Sequence, residues 1–456
     1  MSQPTVAAIY PDGIRVRDRW ILSRRPARAA VDVRRPHAYV IEHERAADGE
    51  TVEVATLFLT GRECPWRCLM CDLWKNTTEE RTPVGAIPAQ IDFALAELGS
   101  SRREEALTEA VESPGEQGSM EQSGVSFPLT PNLSAEERES GRRRVEQADA
   151  DELSSGGDQR LPLLGERVGV REKEAHELVG EVVGSSGRTG SPRHIKLYNS
   201  GSFFDRAAVP FEDYEAIARR VASFERVIVE SHPALIGEAT LHFRDLLARE
   251  AKMEAGSSSE KPVAAEVTRL TIPSAEEIKA SSRRLLPSCN VPRLEVAMGL
   301  ETAHPDVLAK LNKRFTLDDF ARAAEFLRRE GIALRVFVLV KPPFMDEGEG
   351  LEWAVRSAKF AFDCGATVVS LIPTRFGNGA LEALATAGQF APPHLASVEA
   401  ALELGIALGR GRVFADLWDL EKFSNCPACF PARRDRLRRL NLEQQFLPPI
   451  LCDRCP

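Results

Sequence analysis

The chain has no uninterrupted apolar run of about 18 residues, the length a helix needs to cross a bilayer. Its opening residues, MSQPTVAAIYPDGIRVRDRW, lack the apolar core of a secretory signal. The expectation is therefore a cytoplasmic protein without a membrane partner. An excess of positive charge is missing too. The net charge is -9 and the pI about 5.6, which excludes a globally basic nucleic-acid coat and leaves only local basic patches. Aromatic residues make up 7% of the chain and nearly vanish from two stretches. Between 100 and 193 the single aromatic is Phe127, and 252–290 contains none. Segments so rich in Glu, Arg, Ser and Gly bury too little apolar surface to offset their ordering entropy. Both are expected to be largely disordered insertions. Without them roughly 320 residues remain, enough for one catalytic domain with extensions.

Cysteine is present, but in the wrong places for a disulfide framework. Of nine cysteines, Cys64, Cys68 and Cys71 crowd into RECPWRCLMCDLW. Cys426/Cys429 and Cys452/Cys455 form two C-x2-C pairs separated by 22 residues. Only Cys289 and Cys364 stand alone, and neither is given a role. Clusters this tight in a reducing compartment point to metal or redox chemistry.

The rest of the chain alternates. Strand-like apolar runs are VATLFLT (54–60), HIKLYN (194–199), RVIVES (226–231), RLEVAMG (293–299), ALRVFVLV (333–340) and TVVSLIP (367–373). Helical patterns lie between them, such as PAQIDFALAEL with Ile91, Leu95 and Leu98 on one face, and LDDFARAAEFLRREG, ending at Gly331. Buried strands alternating with helices predict a parallel sheet with right-handed crossovers. Six units predict an α/β fold: a partial (β/α)6 TIM-like barrel with its chemistry at the C-terminal strand ends. The expected organisation is an N-terminal extension (1–45), a core barrel (46–375) interrupted by the insertions 100–193 and 252–290, and a C-terminal extension (376–456) with a four-cysteine metal site. The cysteine triplet follows the first expected strand, at an end where chemistry belongs.

Three thiols are one short of a structural zinc site, though a zinc knuckle remains an alternative. A 4Fe-4S cluster held by three thiolates leaves one iron open for a ligand. The C-x3-C-x2-C spacing after a strand resembles the signature of the radical SAM superfamily. That resemblance implies a 4Fe-4S cluster on Cys64, Cys68 and Cys71 and S-adenosylmethionine (SAM) as cofactor. It also implies cleavage to a 5'-deoxyadenosyl radical and a reductant such as flavodoxin or ferredoxin. The residue before the third cysteine, often aromatic in that family, is Met70 here, large enough to pack on an adenine. The family's Gly-Gly-Glu-like turn is represented by Asn199, Ser200, Gly201 and Ser202 in YNSGSFFD, without the glutamate. Glu230 in VESHP resembles the acidic residue that several members aim at the cofactor. AMGLETAHPDVLAKLNKRF resembles a stretch of the branch containing the Elongator catalytic subunit and coproporphyrinogen dehydrogenase. There Glu301 matches a cofactor-binding Gln, and Lys313 or Arg314 the basic residue near the carboxylate. YNSGSFFD, VESHP and GLET together look most like the group of the archaeosine synthase radical SAM subunit, which implies transfer RNA as a partner.

The tail cysteines suit tetrahedral zinc or a second iron–sulfur cluster, with zinc expected. Between the pairs, PARRDRLRRLNLEQQF is basic. Arg433, Arg434, Arg436, Arg438 and Arg439 could meet phosphates, or the segment is a solvated amphipathic helix with Leu437 and Leu440 facing in. Two functions compete with a radical SAM enzyme on RNA: the same chemistry on a small molecule or peptide, and a non-catalytic, metal-stabilised nucleic-acid-binding protein.

Overall fold

The computed structural model describes residues 9–112, 191–257 and 291–455; side chains are described outside 101–112 and 255–257. The chain divides into two compact units, Met1–Gly99 with Glu172–Pro456, and Ser100–Arg171. Of the second unit only the backbone of residues up to 112 is described, as helix. The insertions expected at 100–193 and 252–290 lie mostly outside the described residues.

The first unit holds one eight-stranded sheet in simple chain order. Its strands are β1 (Ala38–Arg45), β2 (Thr51–Phe58), β3 (His194–Tyr198), β4 (Arg226–Ser231), β5 (Arg293–Glu301), β6 (Ala333–Val340), β7 (Val368–Pro373) and β8 (Arg412–Ala415). β2 to β8 run parallel, and β1 pairs antiparallel to β2. The six expected strands are β2 to β7. β1 and β8, which the sequence pattern did not suggest, flank them and carry the sheet to a nearly closed barrel. The Arg412 guanidinium at the start of β8 donates to the Arg45 carbonyl at the end of β1, 2.7 Å away.

The helices are α1 (Ile14–Arg24), α2 (Ala86–Glu112), α3 (Tyr214–Val221), α4 (Glu238–Ser257), α5 (Pro305–Lys310), α6 (Leu317–Arg329), α7 (Glu347–Asp363), α8 (Ala380–Thr386), α9 (Leu395–Ala407) and α10 (Phe430–Glu443). Local sequence sets their starts. α6 opens on a capping box between Thr316 and Asp319, α7 on one between Asp346 and Glu349, each satisfying two orphan N–H groups. α6 gives way at Gly331, which takes φ +67°.

Alternation along the strands sorts residues to two sides. Leu57, Leu197, Val227, Val296, Val336 and Leu371 join the main core with Ile91, Ile217, Phe243, Phe320 and Leu402 from the helices. The opposite set, on the barrel interior, carries charge near the N-terminal strand ends. Buried Arg335 of β6 donates to Glu44 of β1 at 2.5 and 3.0 Å and to Glu295 of β5 at 2.7 Å. Arg226 reaches Glu295 at 3.0 Å, and Lys196 lies 3.0 Å from both Glu42 and Glu44. Burial alone would raise the Glu44 carboxyl, but Arg335 and Lys196 more than offset it and hold it well below the ordinary range. Glu295 is lowered in the same way by Arg335 and Arg226.

Arg335→Met should therefore strand buried carboxylates and cost roughly 3–5 kcal/mol in urea unfolding. The double variant Arg335→Met/Glu44→Gln should recover part of that loss. A single-variant loss below about 1 kcal/mol would show that the network is dispensable.

Candidate active site

Cys64, Cys68 and Cys71 sit on the loop that leaves the C-terminal end of β2, and this loop is fastened at almost every residue. Glu63 accepts from Arg25 and Arg28, both at 2.8 Å, and lies 2.9 Å from Arg67. Arg67 donates to the Cys64 carbonyl at 2.7 Å. The Leu69 N–H donates to the Leu311 carbonyl at 2.9 Å, and the Asn312 amide to the Arg67 carbonyl at 2.7 Å. Buried Asn378 donates to the Leu69 carbonyl at 2.7 Å, and the Trp74 indole to that of Cys71 at 3.1 Å. Burial pushes all three thiols up, Cys68 to about 12. Cationic or metal charge is needed to hold them as thiolates.

The expected cofactor residues gather on the facing rim. Asn199, Ser200, Gly201 and Ser202 follow β3 directly. Gly201 lies against the first cysteine: a Cβ there would sit 2.9 Å from the Cys64 Cβ. This is the close approach that its missing side chain permits. Glu230, at the end of β4, turns one carboxylate oxygen to the backbone N–H groups of Asn199 (2.7 Å) and Gly201 (3.1 Å). Burial raises its pKa to about 7 despite those bonds. The Asn199 side chain is fully buried, and neither its oxygen nor its nitrogen has a partner.

Glu301 ends β5 at φ +67° and accepts from Lys313 at 2.7 Å. Gly299 makes that pair possible, since a Cβ there would fall 2.3 Å from the Glu301 carboxylate and 2.6 Å from the Lys313 ammonium. Lys313 has its pKa raised: burial opposes the charge, but Glu301 and the thiols of Cys68 and Cys71 more than compensate. Arg314 instead pairs with Asp18 of α1, so it fastens the N-terminal segment to this rim. Ser200, Glu301, Asn312, Arg314 and Lys341 all hold positive φ without being glycine. Backbone held in that region concentrates at sites of function.

Two further residues have no precedent in the sequence reading. His232 stacks on Trp66, which lies between Cys64 and Cys68, with ring centroids 3.7 Å apart and planes 10° apart. Its Nδ1 accepts from the Ala234 N–H at 3.1 Å, and its Nε2 lies 2.9 Å from the Lys313 carbonyl. That pattern fits a neutral ring protonated at Nε2, and burial keeps the ring neutral by lowering its pKa to about 4. The other is Glu63. Its signal was present as a carboxylate before the first cysteine, but of its three arginine partners only Arg67 is near in sequence, and Arg25 and Arg28 lie on a distant segment. Met70 packs against Leu69, Leu381 and Phe390 on one side and Leu311, Met345 and Ile372 on the other. α1 and α8 cover the loop through the same cluster, where Tyr10 and Ile21 meet Leu69.

The tail cysteines converge as well. Cys426, Cys429, Cys452 and Cys455 bring their sulfurs within 4.8 Å of one another. Cys426 lies 3.9 Å from Cys452, and Cys429 3.4 Å from Cys455. The Cys426 thiol is lowered to about 6 by backbone N–H groups, first that of Cys429. Among the described residues no other group of three or more such ligands is that compact, so the sulfurs of the β2 loop are spread wider. The helix between the pairs favours the amphipathic-helix reading over the phosphate-binding one. Arg433 is held by Glu399 of α9, and buried Arg436 by Glu403 and the carbonyls of Leu447 and Pro448. Neither is available to phosphate. Leu437 and Leu440 face the core.

Gly201→Ala should displace the cysteine loop by its clash with Cys64, and His232→Ala should release Trp66. Both variants are expected to take up less iron on anaerobic reconstitution while unfolding within a few degrees of wild type. Iron and sulfide contents equal to wild type in both would show that the loop needs neither support.

Among the described residues no helix is long and apolar enough to cross a membrane. No family model matches the chain. It is 28% identical over 209 residues to archaeosine synthase subunit beta of Methanosarcina acetivorans, covering 45% of this chain and 48% of that protein. It is 44% identical over 64 residues to the protein of the same name from Thermococcus kodakarensis, covering 14% and 20%. The chain thus spans about half the length, or less, of these curated relatives. Among solved structures it resembles the Elp3 protein of Methanocaldococcus infernus at 10% identity and a TM-score of 0.35, over 62% of each chain. The chain is thus similar over part of its length to the archaeosine synthase beta subunits, and it carries a three-cysteine loop at the C-terminal rim of a β/α barrel.

Proposed function

We propose that this protein is a radical SAM enzyme that modifies transfer RNA. The observation that carries the reading is the pinned loop bearing three and only three thiols, facing a buried carboxylate–ammonium pair across the barrel mouth. The donor set fits a 4Fe-4S cluster on Cys64, Cys68 and Cys71, because thiolates are its usual ligands and three leave one iron open. Asn199 supports the fit, since a fully buried amide with no partner is what a bound ligand satisfies. When bound, the cluster and SAM supply a 5'-deoxyadenosyl radical through one-electron reductive cleavage of the sulfonium.

The chain's own part is to bind and orient. Asn199, Ser200, Gly201 and Ser202 form the wall next to Cys64, and Glu230 fixes its backbone. In this reading their carbonyls and hydroxyls take the cofactor's ammonium group, in place of the missing glutamate. Lys313 meets the carboxylate, with Glu301 holding its ammonium in place and Arg314 securing the loop behind it. Met70 and the cluster around Leu69 exclude water. A flavodoxin or ferredoxin delivers the electron. The likeness to archaeosine synthase subunit beta supports transfer RNA as the substrate.

At the tail we assign zinc. Four ligands 2.3 Å from a tetrahedral zinc lie about 3.8 Å apart, close to the two sulfur separations of 3.9 and 3.4 Å. A structural zinc there fastens the last residues to the start of α10.

Reconstituted protein should release 5'-deoxyadenosine from SAM under a strong reductant, and the Cys64/Cys68/Cys71 triple Ala variant should not. Release by that variant at the wild-type rate would end the proposal. Lys313→Met should raise the half-saturating SAM concentration by roughly 10-fold or more, the worth of one charged hydrogen bond. Mass spectrometry of transfer RNA nucleosides from a deletion strain should show one nucleoside lost; an unchanged profile would remove RNA from the reading. For the tail, about one zinc per chain should persist in the triple variant and vanish when Cys426 and Cys452 are also replaced. Iron and sulfide in its place would identify a second cluster.

A further inference from the structure

The arginines of this protein fall into two populations. Several exposed ones around the barrel are neutralised locally: Arg322 by Asp319, Arg328 by Glu325, Arg356 by Glu352 and Arg410 by Asp363. Around the cysteine loop some are paired, as Arg17 is with Asp12, but a group of exposed ones is not. Residues 14–35 contain eight arginines and two aspartates, on a chain whose net charge is -9. Asp18 is already engaged by Arg314 and Asn312, and Asp32 lies 3.9 Å from Arg35. Arg25 and Arg28 turn inward to Glu63. Arg15 and Arg19, on the outer side of α1, are exposed and pair with no acid among the described residues. The same is true of Arg62, two residues before Cys64, and of Arg81. The free acid nearest to Arg81 in the chain is Glu80.

These cations share a support. α1 packs on Leu69 of the cysteine loop, Ala29 bonds to the Lys75 carbonyl, and Arg62 bridges to Thr78. The N-terminal segment and residues 62–82 therefore form one surface, built directly over the site and fixed to it. Four exposed guanidinium groups with no ion pair among the described residues match a chain of phosphates better than a neutral or cationic partner.

We infer that this face, carried by Arg15, Arg19, Arg62 and Arg81, binds the phosphate backbone of the nucleic acid whose nucleotide enters the barrel mouth. The inference rests on the reading of the substrate as RNA and relocates the contact from α10 to the N-terminal segment. The arginines position the strand and carry no base specificity.

The test is fluorescence anisotropy with bulk transfer RNA as probe, across a salt series, on the full chain. The quartet Arg15→Gln/Arg19→Gln/Arg62→Gln/Arg81→Gln should bind at least about 10-fold more weakly at 0.1 M salt, with the log–log salt slope flatter by about 3. A control quartet, Arg322→Gln/Arg328→Gln/Arg356→Gln/Arg410→Gln, removes the same charge elsewhere and should bind like wild type. The first quartet should keep the wild-type melting temperature and RNA-independent release of 5'-deoxyadenosine. Equal weakening in both quartets would reduce the effect to net charge and overturn the inference. So would unchanged binding by the first quartet, or no RNA binding by the wild type. None of these results touches the radical chemistry, which SAM cleavage tests separately.

Discussion

The Arg335 guanidinium, held between Glu44 and Glu295, is the interaction on which the architecture depends. A sheet that curls must fill the space it encloses. Here the N-terminal half of that space holds buried ions beside a few aliphatic side chains such as Val54 and Val368. Arg335 joins β6 to β1, Lys196 joins β3 to β1, and Arg226 joins β4 to β5. The one antiparallel strand is thus drawn against the parallel ones through side chains as well as through its ladder with β2. A buried network of this kind specifies one arrangement more than it stabilises it, because charges taken from water must be matched nearly one for one. With the lower half of the barrel filled and fixed, the upper ends of the strands are placed in a constant relation to one another. The cysteine loop and its facing wall are built on those ends.

The network also explains what the sequence concealed. Six strands were legible because each is a short, mostly apolar run in which at most two charges interrupt the pattern. β1, AYVIEHER, was not, since Glu42 and Glu44 point into the ionic interior and the stretch reads as polar. β8 has only four residues, RVFA, too few for any periodicity to register. At the site, the triplet was legible from spacing and position alone. Its supports were not. Glu63 has partners at positions 25 and 28 besides the nearby Arg67, and His232 meets Trp66 across the rim; contacts as far apart in sequence as these leave no local pattern. Glu230 and Gly201 were legible as family positions, but their local contacts, with the amides of the β3 turn and with Cys64, were not. For α10 the sequence left phosphate contact and an amphipathic helix both open, because Glu399 and Glu403, which neutralise Arg433 and Arg436, lie on a different helix.

The site shows a consistent division of labour between glycine and charge. Gly201 lets the backbone touch Cys64, and Gly299 clears the volume in which Glu301 and Lys313 meet. In both places the missing Cβ is what admits a polar or ligating group to a crowded rim. The non-glycine residues at positive φ nearby show the complementary cost. Ser200, Glu301 and Lys341 are held in a disfavoured conformation by the hydrogen bonds and ion pairs around them.

The two long segments outside the described residues rejoin the barrel at similar places. Arg193 bonds to the Glu53 carbonyl one residue before β3, and Arg293 to the Glu225 carbonyl at the very start of β5. Both points lie at the N-terminal ends of strands, on the far side of the ion-filled interior from the cysteines. The N-terminal ends of the strands are thus a face at which long connections re-enter, and the cysteine rim one on which almost every described residue is already committed. For an experimenter, the first face is where a reporter or an affinity handle can be inserted without disturbing the reaction.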